Sequence, residues 1–144
     1  MLVHHILKSK ADDAVVCVKP GATIREAADL LAQRKIGTVV ISEDGKQPLG
    51  ILSERDIVRE LAQRGGSILT EPVDGYMTSE LVTCSLQASA DAVLQTMTEK
   101  RFRHMPVIEK GEMVGIVTIG DVVKARLSEL KMEKDALEGM IMGY

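Results

Sequence analysis

Aromatic side chains are scarce in this sequence: there is no tryptophan, and the aromatic residues are Tyr76, Phe102 and Tyr144. Proteins that bind single-stranded nucleic acid stack bases on aromatic side chains, and nucleic-acid binding in general needs a surplus of positive charge. The formal net charge of this chain is −3. Both shortages argue against a nucleic-acid partner.

Cysteine is also scarce, since Cys17 and Cys84 stand far apart and alone. A structural zinc site needs more ligands than these, and disulfide frameworks belong to cysteine-rich secreted domains. We therefore interpret both residues as small buried thiols in a reducing compartment. The adjacent His4 and His5 have no acidic or cysteine cluster beside them, so no metal site is predicted.

The sequence has no apolar run long enough to span a membrane, and the apolar run near Met1 is too short for a signal peptide. Hydrophobic residues make up 45% and charged residues 27% of the chain, as in an ordinary globular domain. We therefore predict a cytoplasmic protein with no membrane partner.

Sequence motifs of the common catalytic and phosphate-binding loops are missing. There is no Walker-type loop, Gly-x-Gly-x-x-Gly, Gly-x-Ser-x-Gly or His-Glu-x-x-His. No nucleophile, base and orienting group stand out together. The expectation is that the chain is not an enzyme.

What the sequence does contain is an internal repeat. Residues 51–58 match residues 116–123 at an offset of 65, and a glycine precedes each stretch. The basic pair at residues 34–35 matches that at 100–101 at an offset of 66, because the first copy has a longer hairpin loop. Repeats of this kind signal duplicated supersecondary units.

Each copy has the pattern of a βαββα unit. A β-branched run at 15–18 or 81–84 precedes an amphipathic helix, and the turn signals at 44–45 and 110–111 predict a hairpin. We therefore predict an α/β fold of two repeated βαββα units. The first repeat with its N-terminal segment is assigned to residues 1–70, and the second repeat with a helical tail to residues 71–144.

Apolar positions continue at helical spacing from Val122 to Ile141. They predict a C-terminal helix, either one long helix or two helical pieces. Its apolar side chains could form a dimer contact, cover the hairpins or belong to a frayed tail.

A hydroxyl residue and an aspartate recur at the junction of strand and helix, as Ser53-x-x-Asp56 and Thr118-x-x-Asp121. Such a pair can simply be a capping box. The same position also offers a phosphate the unpaired N–H groups and positive dipole of a helix N-terminus. An aspartate one turn further can accept hydrogen bonds from a ribose diol. The pattern fits a nucleotide, and a sugar phosphate without a base is the alternative.

The segment at residues 103–106 adds charge and a proline to the second copy. Arg103 and His104 could neutralise a phosphate. Pro106 cannot donate to a strand ladder, so its strand is expected at an edge or beside a gap, where backbone groups could meet an adenine edge.

The paired Gly-hydrophobic-hydrophobic-[Ser/Thr]-x-x-Asp motifs resemble the tandem CBS domain, named for cystathionine β-synthase. The resemblance covers about residues 15–125. Residues 101–107, 118–124 and 140–144 are similar to a stand-alone bacterial subgroup with plant organellar relatives.

The resemblance implies two units packed face to face as a pair with pseudo-two-fold symmetry. It also implies two clefts between their sheets, which take AMP, ADP, ATP, NAD(H) or S-adenosylmethionine. By motif, one cleft would hold ribose and phosphate on Thr118 and Asp121 and frame the base with Val82, Thr83, His104, Met105 and Pro106. The other cleft would use Ser53 and Asp56, with Gly37, Thr38 and Val39 opposite. Arg55 and Arg103 would be phosphate partners. Because the copies differ at 37–40 and 103–106, unequal clefts are expected, with the Asp121 cleft the better one.

The leading interpretation is a non-catalytic regulatory module that senses an adenine nucleotide. The resemblance further implies a homodimer, and a regulated enzyme or transporter is the expected kind of partner. One alternative is a ligand-independent dimerisation or scaffold domain whose Ser/Thr-x-x-Asp motifs are only helix caps. A small nucleotide-processing enzyme is the third interpretation, and no visible general base supports it.

Overall fold

The computed structural model describes residues 1–10 and 14–142. Helix α1 (Val3–Ser9) comes first. The first copy then contains β1 (Cys17–Val18), α2 (Ile24–Arg34), β2 (Thr38–Ile41), β3 (Gly50–Ser53) and α3 (Glu54–Arg64). Short 3-10 turns follow at Gly66–Thr70 and Val73–Gly75. The second copy contains α4 (Ala90–Lys100), β4 (His104–Glu109), β5 (Glu112–Thr118) and α5 (Ile119–Met142). The predicted α/β class and repeated element order are confirmed.

Equivalent signals begin and end the first long helix of each copy. The Thr23 hydroxyl accepts a hydrogen bond from the Glu26 N–H at 3.1 Å, and the Ser89 hydroxyl accepts one from the Ala92 N–H at 3.1 Å. Both helices end at a left-handed basic residue, Lys35 with φ 53° and Arg101 with φ 58°. These caps satisfy N–H groups that a helix leaves unpaired at its start.

The two sheets differ in their first strand. In the first copy β1 runs parallel to β2, and β2 pairs antiparallel with β3. In the second copy β4 pairs antiparallel with β5, and the strand expected at 81–84 shrinks to one bridge between Cys84 and Val107.

A proline explains this difference between the sheets. In the first copy the Val40 N–H donates to the Val16 carbonyl at 3.0 Å. The equivalent residue of the second copy is Pro106, which has no N–H to donate. The predicted consequence of Pro106, a gap beside its strand, is therefore seen on the side of Val82.

Each copy has its own hydrophobic core, and each core is completed by a segment from elsewhere in the chain. Val3, Ile6 and Leu7 of α1 are buried in the core of the second copy. Val73, from the segment between the copies, is buried in the core of the first. The repeat boundaries proposed from sequence, 1–70 and 71–144, divide the chain, but the packing crosses that division.

Backbone hydrogen bonds fix both crossing segments. The Val3 N–H donates to the Ala88 carbonyl at 2.9 Å, and the Val73 N–H donates to the Ala22 carbonyl at 2.8 Å. The hairpin tips of the two copies also touch, since the Met113 N–H donates to the Lys46 carbonyl at 2.7 Å. The copies are thus held together through the hairpin tips, and each crossing segment is fixed to the copy that it completes.

Two equivalent glycines receive these crossing segments. A Cβ atom on Gly50 would lie 2.4 Å from the Met77 sulfur, and one on Gly115 would lie 2.9 Å from a methyl carbon of Leu7. We predict that Gly50→Val and Gly115→Val each lower the free energy of unfolding by about 1–3 kcal/mol through overpacking. Urea denaturation checks this. Gly66→Val is the control, because nothing lies within 4 Å of its Cβ position, and a loss as large there would contradict the explanation.

The C-terminal helix α5 is one continuous helix rather than two pieces. Val122 and Ala125 at its start are buried in the second core. Further along, the apolar side chains are exposed, with Leu137 59% and Ile141 84% accessible. Gly143 and Tyr144 lie outside the described residues.

Candidate functional site

A cavity of about 660 Å³ lies between the two copies. The first copy lines it with Gly37, Ile51, Ser53, Glu54, Arg55, Asp56 and Arg59. The segment that leads into the second copy and the second copy itself contribute Thr78, Glu80, Leu81, Val82, Lys100, Arg101, Phe102, Arg103 and His104. The N-terminus of α3 thus faces the residues that precede β4.

Ser53 and Asp56 form a complete capping box at the start of α3. The Asp56 carboxylate accepts from the Ser53 backbone N–H at 2.9 Å and from its hydroxyl at 2.9 Å. The Asp56 N–H in turn donates to the Ser53 hydroxyl oxygen at 3.2 Å. Arg59 donates to the other oxygen of Asp56 at 3.0 Å. The structural role expected for this motif is therefore real, and it also presents Ser53 and Asp56 to the cavity.

Thr118 and Asp121 form the same box, with an added partner. The Thr118 N–H donates to the Asp121 carboxylate at 2.9 Å, and the Lys10 ammonium lies 2.9 Å from the same carboxylate. Lys10 also donates to the Ile116 carbonyl at 3.1 Å. Burial alone would raise the pKa of Asp121, but the hydrogen bonds from Thr118 and Lys10 outweigh it and hold that pKa below its ordinary value.

The equivalent groups of the first copy have a different neighbour. Ile51, the counterpart of Ile116, accepts at its carbonyl from the Thr78 N–H at 2.8 Å. Among the described residues the carboxylate of Asp56 pairs with Arg59 and with no lysine, whereas that of Asp121 pairs with Lys10 of the crossing N-terminal segment. The two Ser/Thr-x-x-Asp motifs are therefore alike in their caps and unlike in their surroundings.

Comparison with known proteins accounts for this architecture. The CBS domain profile matches residues 7–63 and 73–128. The chain belongs to the CBS domain family. A mitochondrial CBS-domain protein of Arabidopsis thaliana is 33% identical over 148 residues, which is 98% of this chain and 72% of the relative.

Solved CBS structures share the fold. A CBS-domain protein from Agrobacterium tumefaciens is 42% identical, with a TM-score of 0.83 over 88% of this chain and 99% of its own. One from Pyrobaculum aerophilum, solved as a complex with AMP, is 30% identical, with a TM-score of 0.77 over 92% and 99%. The CBS pair of protein MJ0100, solved with 5′-methylthioadenosine and S-adenosyl-L-methionine, is 25% identical, with a TM-score of 0.77 over 90% and 98%.

The structure corrects how the sequence-based expectation combined the site residues of the CBS pair. That expectation placed Asp121 with Val82 and His104, and Asp56 with residues 37–39. In the structure Asp56 does share its cavity with Gly37, and it also shares it with Val82, Arg103 and His104, while Asp121 is paired with Lys10. The physical reason is that the copies pack face to face, so the helix start of one copy meets the strand entry of the other.

Two of the expected ligand contacts are core residues instead. Val39 is fully buried in the core of the first CBS copy, and Met105 is 2% accessible in the core of the second. Strand alternation points their side chains into the cores, which leaves only their backbone groups for a contact with a base. Pro106 is also buried, and Thr83 is exposed but does not line the cavity. Thr38 is partly buried, and its hydroxyl has no hydrogen-bond partner among the described residues.

His104 lies at the junction of the copies. It lines the cavity and pairs with Thr118 across the β4–β5 ladder. Burial lowers the pKa of His104, although Glu54 acts in the opposite direction. The lowered pKa favours the neutral imidazole, which can both donate and accept a hydrogen bond.

Several features of the site escaped the sequence. Arg59, Thr78 and Glu80 line the cavity and Lys10 pairs with Asp121. For Arg59 there was a signal, since it follows Asp56 by three residues on one helix face. Nothing in the repeat pointed to Lys10, because the equivalent segment before the second copy, residues 71–78, contains no lysine.

Three further observations concern possible metal ligands, membrane-spanning helices and the two cysteines. Among residues 1–10 and 14–142, no three His, Cys, Asp or Glu side chains are grouped to hold a metal ion. No helix of the described chain is long and apolar enough to cross a bilayer. Both cysteines are free and partly buried, and burial raises the pKa of Cys84 to about 11.

Proposed function

We propose that this CBS pair is a non-catalytic regulatory module that binds an adenine nucleotide, AMP, ADP, ATP or NAD(H), between its two copies. The observation that carries the proposal is the cavity that joins Ser53 and Asp56 of the first copy to Val82 and His104 of the second. The AMP complex of the Pyrobaculum aerophilum relative supports the ligand class.

The first copy supplies the groups for phosphate and ribose. The N-terminus of α3 carries a positive dipole end, and the Ser53 hydroxyl and the Arg55 guanidinium lie beside it. Ser53 fills both acceptor sites of Asp56 Oδ2, and Arg59 takes one of the two on Oδ1. The remaining site of Oδ1 can accept from one ribose hydroxyl, and release of Arg59 would free a second. Phosphate and ribose would therefore lie one helical turn apart along α3.

The second copy supplies the groups for the base. The Val82 carbonyl receives no backbone hydrogen bond in the described part of the chain, because Pro106 stands where a donor would be. This carbonyl can accept from the adenine amino group. Leu81 and Phe102 add apolar surface to the same cavity, and neutral His104 adds a hydrogen-bonding edge.

The cleft at Asp121 is the weaker proposal. Asp121 is not among the residues that line the cavity between the copies. Its Oδ2 already binds Lys10 and the Thr118 N–H, and a ligand that displaced Lys10 would leave a partly buried carboxylate without its cation. We therefore place the nucleotide at Asp56, in contrast to the sequence-based ranking of the two clefts.

Regulation would follow from contacts to both copies. A ligand shifts a conformational equilibrium only when it binds the two states with different affinity. A nucleotide held by α3 of one copy and by residues 82–104 of the other would bind most tightly to the orientation of the copies that brings both groups to it. The partner, an enzyme or transporter, and the cytoplasmic location stay predictions. A homodimer is supported by the exposed apolar side chains of α5.

Thermal unfolding with added AMP, ATP, NAD and S-adenosylmethionine tests the proposal. A ligand at a hundred times its Kd should stabilise the fold by about 2.7 kcal/mol, which raises Tm by roughly 5–10 °C in a chain of this size. An unchanged Tm with every adenine compound at millimolar concentration would contradict it.

A ligand-independent dimerisation domain is the second candidate. The observation that favours it is that both Ser/Thr-x-x-Asp motifs are complete capping boxes. In that case the melting temperature would depend on protein concentration and on no nucleotide. Hydrolysis of ATP or NAD by the purified chain would instead support an enzyme.

A further inference from the structure

Positive charge gathers around the cavity although the chain as a whole is acidic, with a formal net charge of −3. Five cationic side chains line the cavity: Arg55, Arg59, Lys100, Arg101 and Arg103. Three carboxylates accompany them: Glu54, Asp56 and Glu80. The surplus of positive charge is therefore local to the cavity. A positively charged cavity attracts anions.

Most of these cations form no ion pair within the described residues. Arg59 pairs with Asp56 at 3.0 Å. Within residues 1–10 and 14–142, no ion pair involves Arg55, Lys100, Arg101 or Arg103. A cation without a partner beside a concave surface is available for a ligand, and Arg can grip a phosphate through two parallel hydrogen bonds.

The cations come from both copies. Arg55 lies in the first turn of α3, whereas Lys100, Arg101 and Arg103 lie between the end of α4 and the start of β4. Like charges that line one cavity repel each other. A ligand with several negative charges would remove this repulsion and hold the two groups together. A single phosphate would offset less of this repulsion than a chain of two or three phosphates.

We propose that the cavity selects adenine nucleotides with two or more phosphates, and that their phosphate chain bridges α3 of the first copy and the basic segment 100–103 of the second. This inference rests on the proposed function, since it concerns the same cavity. A volume of about 660 Å³ lies well within the range of sites that enclose whole organic ligands. Compounds with a cationic sulfonium, such as S-adenosylmethionine, would add to the repulsion.

The experiment measures the Kd of the full chain for adenosine, AMP, ADP, ATP and S-adenosylmethionine by calorimetry, without added metal. We expect ATP and ADP to bind at least tenfold more tightly than AMP, and S-adenosylmethionine to bind more weakly than AMP. The ATP Kd should rise steeply between 50 mM and 500 mM salt, because screening weakens charge interactions, while the adenosine Kd should stay nearly constant.

Variants connect the preference to the named cations. Arg55→Gln and Arg103→Gln should each weaken ATP binding at least fivefold and leave the Kd of adenosine unchanged. Arg25→Gln is the matched control, because this arginine is 70% exposed on α2 and does not line the cavity. It should bind ATP like the parent chain.

The outcomes separate the two proposals. Equal affinities for AMP, ADP and ATP, or tightest binding of S-adenosylmethionine, would overturn the polyphosphate preference and leave the proposed function standing. Failure of every adenine compound to bind would overturn both. If tripolyphosphate bound as tightly as ATP, the result would support recognition of phosphate by the cations of the cavity. It would contradict the proposal that the cavity recognises adenine.

Discussion

Asp56→Asn is expected to weaken ADP binding by about ten- to a hundredfold, because a hydrogen bond to a charged group contributes about 1.5–3 kcal/mol. The carboxylate of Asp56 faces the cavity between the copies. Asparagine keeps one acceptor for the Ser53 N–H, so the cap of α3 survives in part while the charge that holds the diol is lost. Calorimetric titration with ADP measures the effect.

Asp121→Asn is the matched control, since Asp121 has the same position in the other capping box. Asp121 does not line the cavity, and its carboxylate pairs with Lys10, so we expect the ADP Kd to change by less than twofold. Stability should fall for both variants, because each weakens a cap whose loss costs about 1 kcal/mol. If Asp121→Asn abolished binding and Asp56→Asn did not, the nucleotide would lie in the other cleft.

Ile6→Ala is expected to lower the free energy of unfolding by about 2–5 kcal/mol, as is usual when a buried isoleucine is truncated. Ile6 is 2% accessible in the core of the second CBS copy, although it precedes the first copy in the chain. A fall in Tm of roughly 5–15 °C should accompany this loss. Urea and thermal denaturation measure the two quantities.

Val58→Ala is the control for this variant. Val58 is also a β-branched residue on a helix, but it is 65% exposed on α3. Its truncation should change the free energy of unfolding by less than about 0.5 kcal/mol, as at most surface sites. Equal stability of the Ile6→Ala variant and the parent chain would show that α1 does not complete the second core.

Much of the fold could be predicted from the sequence because its signals are local and occur twice. The turn residues at 44–45 and 110–111 predict both hairpins, and the pair Lys110 and Gly111 has the positive φ angles that a two-residue hairpin turn requires. The capping box of Thr23 and Glu26 marks the start of α2 correctly. The Ser/Thr-x-x-Asp motifs place the starts of α3 and α5.

The assembly of the site could not be predicted in the same way. A repeat shows which residues are equivalent, and it says nothing about which faces of the two copies meet. The sequence-based expectation therefore kept each aspartate with the strands of its own copy, whereas packing brings Asp56 to Val82 and His104. Helix α1 packs into the second core, and residues 71–78 pack against the first. Both placements depend on tertiary packing, for which the local sequence carries no signal.

Side-chain direction was the other source of error. Val39 and Met105 lie in the right segments, but alternation along β2 and β4 turns them into the cores. Pro106 was interpreted correctly through its backbone, since its missing N–H leaves the Val82 carbonyl without a partner from that strand. The backbone consequence of Pro106 could thus be predicted from the sequence, whereas the direction of the Val39 and Met105 side chains was not.

The central claim is that the nucleotide lies between the two copies, beside Asp56. A crystal structure of the chain grown with ADP is the direct measurement. We predict electron density for the base beside Val82 and His104, and for the phosphates between Arg55 and Arg103. Density beside Thr118 and Asp121, with Lys10 displaced from the carboxylate, would contradict the account.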